Sequence, residues 1–303
     1  MNVRDGIYIE NTLGEDPNTD QIVQTVGNSD FNLCLLAFLH TRPNAPYDLY
    51  YNDTQLYQEV DGQLSPVDPQ LIDAIASAVA QLKSGFPAQK TVLMSMGPFQ
   101  SDFDNISGDL STFVANLYTM ATQLGLDGYD WDYEGEQDSQ HQELLGQLSI
   151  QYAQIVQGVT GGYPFITAAP YYGADWWAGV LQQSVIGSGN AFTWFNVQFY
   201  AGNGNPPVDG GAEIFAGWES AVANAGANIG NASEFIVPGV NGSSDAYPTY
   251  SPSLLTEFLQ GILAKFPEMG GAFIWNWSAI SSDVSDWAQA LYNAYDQQQR
   301  KSA

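Results

Sequence analysis

Short β-branched or apolar runs alternate along the chain with segments whose apolar residues fall at helical spacing. The runs are GIYIE from Gly6, NLCLLAFL from Asn32, TVLMSMG from Thr91, LDGYDWDYE from Leu126, FITAAP from Phe165, TWFNVQFY from Thr193, FIVPGV from Phe235 and GAFIWNW from Gly271. Between them, Leu71, Ile72, Ile75, Val79 and Leu82 share one helical face, as do Leu110, Phe113, Val114, Leu117, Ala121 and Leu124. The pattern returns at Leu254, Leu255, Phe258, Leu259 and Ile262, then at Val284, Trp287, Ala288 and Leu291. Strands that alternate with helices pair in parallel, and eight such units predict an α/β fold: a single-domain (β/α)8 TIM barrel over residues 1–303. A doubly wound open sheet is the alternative, but GIYIENTLGED lacks the Gly-rich dinucleotide turn that usually follows its first strand.

The fourth run carries the chemistry. In LDGYDWDYEGE, period-two alternation puts Asp130, Asp132 and Glu134 on one face and Asp127 on the other. Tyr129, Trp131 and Tyr133 supply apolar bodies suited to packing under the helices, which assigns the acidic face to the barrel interior. Successive acids lie ~7 Å apart at the strand rise, so in a low-dielectric interior they do not all ionise independently. Oxygen donors also suit calcium or magnesium, yet acids strung along one strand do not converge on one centre, and no metal or cofactor is expected.

Charge narrows the partners. Lys and Arg total 7 against 33 acids, and the net charge of −26 argues against nucleic acid and anionic membranes as partners. The single cysteine, Cys34, lies in an apolar run and reads as a small core residue. MNVRDGIYIE has no signal-peptide pattern and no segment is apolar for 18 residues, so neither export signal nor membrane span is expected. The longest irregular stretch, Thr41 to Asp68, holds Tyr47, Tyr50, Tyr51 and Tyr57, and reads as a wall of a binding groove or as a packed flap. His40 and His141 read as satisfied or exposed imidazoles. The polar tail over 297–303 is expected to fray, and a monomer is expected.

DGYDWDYE resembles the D-x-x-D-x-D-x-E signature of glycoside hydrolase family 18, the chitinases and endo-β-N-acetylglucosaminidases, whose (β/α)8 barrel carries it on strand four. TAAP (Thr167 to Pro170), VQFY (Val197 to Tyr200) and GGAFIWNW (Gly270 to Trp277) are similar to strands five, six and eight of its plant-type and bacterial chitinases. The family's S-x-G-G on strand three is met only as Ser95, Met96, Gly97 and Pro98, so the backbone beside the sugar subsite differs. Between FIVPGV and GAFIWNW only about 30 residues remain, room for one helix, so the α+β insertion of some relatives is absent and an open groove is expected.

The resemblance implies a retaining endo-chitinase acting by substrate assistance through an oxazolinium ion, without a cofactor, and it implies secretion. It makes Glu134 the general acid, Asp132 the residue that orients the N-acetyl group, and Asp130 a partner sharing a proton with Asp132. Tyr200 would contact the acetamide oxygen and Trp275 would floor the reacting sugar. Gln198 shares a face with Tyr200. Ser95 and Gly97 would adjoin the sugar, and Tyr171, with Tyr172, Trp176 and Trp177, would extend the groove. Asp127 and Gly128 are read as structural members of the motif. An endo-β-N-acetylglucosaminidase acting on the chitobiose core of N-glycans would use the same residues. An inactive lectin or inhibitor on this barrel is a third reading, although such relatives typically lose the acid and Glu134 is present.

Overall fold

All eight runs form strands: Arg4–Ile9, Leu33–Arg42, Thr91–Met96, Gly128–Trp131, Phe165–Ala168, Trp194–Gln198, Ile236–Asn241 and Gly271–Trp275, strands one to eight below. The structure is a computed structural model that describes residues 3–200, 209–246 and 249–302. Each strand pairs in parallel with the next, and strand one pairs with strand eight at Arg4 to Gly271, closing a (β/α)8 barrel. Helices Thr19–Gly27, Pro69–Lys83, Leu110–Leu124, Ser139–Thr160, Ala174–Gln183, Gly211–Asn224, Pro252–Leu263 and Val284–Ser302 form the outer layer. The last of these takes in most of the polar tail. None of the described helices is long and apolar enough to cross a membrane.

Local chemistry sets these boundaries. Asp68 caps its helix by accepting the Gln70 and Leu71 N–H groups, with Pro69 pre-shaped at the first turn. Asp109 caps the next helix through Thr112 N–H, and Gly125 ends it in the left-handed conformation at φ 71°. The stripes at Ile72, Ile75, Val79 and Leu82 and at Phe113, Val114, Leu117 and Leu124 are buried against the barrel.

The stretch from Thr41 to Asp68 is not irregular. Strands Ala45–Tyr51, Thr54–Val60 and Gln63–Pro66 form an antiparallel arm hung on strand two through Leu39 to Tyr51 and His40 to Tyr50. Asp61 and Gly62, both at positive φ, make its tight two-residue turn, a D-G hairpin signal that the sequence carries openly. Tyr51 and Tyr57 are buried in the core, and Tyr51 donates its hydroxyl to the Asn11 carbonyl at 2.6 Å. The arm is a packed flap; its tyrosines do not line the cavity that holds the acids.

Regular strand four ends at Trp131, three residues before the last acid. Its backbone nevertheless stays extended, because Asp132 N–H donates to Met96 O at 2.8 Å and Glu134 N–H to Pro98 O at 3.2 Å. Only the strand-three side still pairs there, and alternation persists through Glu134. Tyr129, Trp131 and Tyr133 are buried outside the barrel; Tyr129 donates to Leu117 O at 2.7 Å and Trp131 Nε1 to Ser149 Oγ at 3.0 Å. Asp127 points outward and pairs with Lys83 Nζ at 2.6 Å while accepting Val92 N–H.

Gly97 sits where strand three passes Asp132. At φ 133°, a Cβ there would lie 1.9 Å from the Asp132 carbonyl oxygen. Gly97→Ala is expected to cost about 2–4 kcal/mol, seen as a lower urea midpoint at constant m. A shift below about 0.5 kcal/mol would mean that this contact yields freely.

Candidate active site

Asp130 lies at the centre, 0% exposed. A carboxylate has about four lone-pair positions, and those of Asp130 meet four donors. Tyr8 Oη at 2.9 Å and Ser95 Oγ at 2.8 Å donate to Oδ2; Thr167 Oγ1 at 2.5 Å and Asn196 Nδ2 at 3.0 Å donate to Oδ1. Burial raises its pKa and these donors pull it back. No hydrogen bond joins it to Asp132 among the described residues, and it does not line the cavity. Its carboxylate is thus met by donors from strands one, three, five and six.

Asp132, 4% exposed, accepts Gln198 Nε2 at 3.0 Å. Burial pushes its pKa well above the usual carboxylate range, and repulsion from Glu134 and then Asp130 adds to the rise. Glu134 is the exposed member, at the cavity mouth, where partial burial raises its pKa against the lowering effect of Gln198. The same Gln198 Nε2 reaches Glu134 Oε1 at 3.0 Å and Ala169 O at 3.1 Å. Two N–H bonds thus serve three acceptors, and the carboxamide ties both acids to strand five.

These side chains open into a cavity of about 500 Å³. Asp132, Glu134, Gln198, Tyr200, Tyr171 and Trp275 all line it, and among the described residues no lysine or arginine does. Trp275 lies 5.6 Å from Phe38 and 5.2 Å from Tyr8, ring to ring. Burial, and next the field of Asp132, lift the Tyr200 phenol well above its usual pKa, so it is a neutral O–H donor at ordinary pH. A second cavity of about 450 Å³, around Tyr163, Phe192 and Asn228, is lined by no carboxylate, histidine or lysine among the described residues. It adjoins the N-terminal ends of strands five to seven, the face that in barrel enzymes serves stability.

The remaining sequence candidates take supporting places. Ser95 lies beneath the cavity on Asp130, and Gly97 lies beside Asp132. Gly128 lets strand five approach: a Cβ would meet Phe165 O at 1.8 Å. Trp177 is fully buried and Trp176 stacks on Tyr133 at 5.6 Å, so of the four aromatics in YYGADWW only Tyr171 lines the cavity, with Tyr172 packed edge-on against it at 5.3 Å.

Sequence reasoning missed Tyr8 and Glu10, which share a face at the end of strand one and which the period-two rule would have flagged. Glu10 accepts from Asn276 Nδ2, and burial raises its pKa. It also left the histidines without partners. His141 lies between Asp138 and Asp104, 2.9 Å from each, and His40 pairs with Asp102 at 2.9 Å, 62 residues away. No local pattern encodes a contact at that separation.

No family model matches the chain, and no curated protein sequence matches it. Solved structures do. A GH18 chitinase from Pseudoalteromonas aurantia has 19% identity and a TM-score of 0.65, over 96% of this chain and 99% of that one. A fungal endo-β-N-acetylglucosaminidase of glycosyl hydrolase family 18 has 17% identity and a TM-score of 0.66, covering 96% and 97%. A class V chitinase mutant from Cycas revoluta in complex with (GlcNAc)3 has 13% identity and a TM-score of 0.64, covering 97% and 100%. At these identities the likeness establishes the barrel fold over nearly the whole chain.

Proposed function

We propose that the chain is a retaining, endo-acting glycoside hydrolase of the family 18 type that cleaves β-1,4-linked N-acetylglucosamine polymers by substrate assistance. The carrying observation is the pair Asp132 and Glu134, held side by side by Gln198 in a cavity that also contains Tyr200 and Trp275. Chitinases and a family 18 endoglycosidase share the fold, and one of those chitinases was solved with (GlcNAc)3.

The steps follow from the groups. Glu134, whose pKa is raised by burial, donates its proton to the glycosidic oxygen as the C1–O bond breaks. Asp132 accepts the acetamide N–H, turning the acetamide oxygen toward C1, where its lone pair forms the oxazolinium ring. Asp132 in its ionised form then stabilises the positive charge. Tyr200 donates its hydroxyl to the acetamide oxygen and fixes its approach. Water next attacks C1 from the face the leaving group vacated, its proton passes to Glu134, and the ring reopens with retained configuration. Trp275 presents an apolar face to the pyranose carbons. The chain between strands seven and eight forms one helix among the described residues, Pro252–Leu263, so nothing described there walls the groove, as suits cutting within a chain.

A second reading, cleavage of the N-glycan chitobiose core, draws on the fungal endoglycosidase, which matches as well as the chitinases do. Digestion of chitooligosaccharides alongside a high-mannose glycoprotein separates the two. Shortened chitooligosaccharides are expected. Released glycan with intact oligomers would refute the chitinase reading, and sugar binding without cleavage of either would favour a lectin.

A further inference from the structure

One wall of the cavity is a run of four rings, Trp275, Phe38, His40 and Phe99, with neighbouring centroids 5.6, 6.1 and 5.7 Å apart. His40 is its polar member, 8% exposed. Its Nδ1–H donates to Asp102 Oδ2 at 2.9 Å, because a carboxylate only accepts. Asp102 is 2% exposed, and its other oxygen takes Thr41 N–H at 2.9 Å. Thr41 Oγ1 donates to the Asp102 backbone carbonyl at 3.0 Å and itself accepts Asn105 Nδ2 at 3.0 Å, so the backbone that carries the carboxylate is held as well. His40 Nε2 has no hydrogen-bond partner among the described residues, and the ring lines the cavity. Burying a carboxylate and an imidazole is costly. Here the result is a ring fixed by its Nδ1 bond, lining the cavity, with Nε2 left for a ligand, a feature that packing alone does not require.

We propose that His40, positioned by Asp102, binds a hydroxyl of the sugar on the leaving-group side of the scissile bond, and so favours a sugar over a non-sugar leaving group. This rests on the function proposed above. The side follows from the backbone. Pro98, whose carbonyl accepts Glu134 N–H at 3.2 Å, precedes Phe99, which stacks on His40. His40 and Phe99 therefore adjoin the proton donor, whereas Trp275 at the other end of the run packs on Tyr8. Phe99, 60% exposed, offers the apolar face on which a pyranose lies. With Nδ1–H held by Asp102, Nε2 is the ring atom that meets the sugar hydroxyl.

The test compares chitotetraose, whose leaving group is a sugar, with 4-nitrophenyl chitobioside, whose leaving group is an aryl alcohol. For His40→Ala the ratio of kcat/KM on the tetramer to that on the aryl glycoside is expected to fall roughly tenfold. Asp102→Asn should lower the same ratio, since its carboxamide can keep Thr41 N–H but donates to Nδ1, moving the ring hydrogen to Nε2. A merely structural dyad would lower both activities together, and an unchanged ratio overturns the inference. Calorimetry with chitotetraose supplies a readout without turnover. Adding His40→Ala to Glu134→Gln should weaken binding roughly tenfold, and an unchanged Kd again overturns it. If the unsubstituted protein cleaves neither substrate and Glu134→Gln binds no tetramer, the function reading falls and this inference with it.

Discussion

Glu134→Gln is expected to lower kcat on chitooligosaccharides by about 10³-fold, within the range that one general acid contributes, while the Kd for an oligomer and the unfolding midpoint change little. The substitution is nearly isosteric and keeps the oxygen that accepts Gln198 Nε2. Glu134 is also the exposed acid of the row, so replacing its carboxyl leaves no buried group unpaired. What goes is the proton held at the cavity mouth. The pH profile gives a second reading of the same event. The active form of a general acid is protonated, so kcat/KM falls as pH rises through its pKa, and burial moves that limb above the ordinary glutamate range. In Glu134→Gln the limb should vanish from whatever rate remains. Asp132, relieved of its largest electrostatic neighbour, should titrate lower. Rates near those of the unsubstituted protein would show that another group delivers the proton.

The acidic row was legible because alternation is a backbone property that outlasts the regular strand: Asp132 N–H still reaches Met96 O after strand four has lost its other neighbour. The barrel was legible for the same kind of reason, since each apolar run carries its own period. What surrounds the acids was not. Tyr8, Ser95, Thr167 and Asn196 come from four different strands and meet at Asp130 only because barrel register brings inward residues into one layer. Sequence spacing does not fix that register, so the four donors around Asp130 could not be read from it. The arm after strand two was misread despite a D-G turn, because Tyr47, Tyr50, Tyr51 and Tyr57 do not keep a clean period-two pattern. Half-buried and buried tyrosines alternate with register shifts between Leu49 and Tyr50 and between His40 and Arg42.

Asp132→Asn should move activity and stability in opposite directions. The asparagine oxygen can still accept Gln198 Nε2, so the local geometry persists. Its amide carries no negative charge for the oxazolinium ion, and it can present N–H where the acetamide N–H needs an acceptor. A fall in kcat of about 10²–10³ with KM within a few-fold is expected, because positioning and charge stabilisation fail together in the transition state. Stability follows from the raised pKa. The unfolded aspartate ionises near the ordinary value while the buried one resists, so the folded state binds the proton more tightly. The contribution of Asp132 is then fully favourable below the ordinary aspartate pKa and is lost as pH rises through the folded pKa. Asparagine escapes that loss. Its Tm should exceed that of the unsubstituted protein at pH 8 by about 2 °C or more, with the gap closing toward pH 4. Unchanged kcat would remove Asp132 from the substrate-assisted step. A lower Tm at pH 8 would mean that the buried carboxylate is stabilised by its surroundings, and the cost of holding three acids on one strand would then have to be met elsewhere.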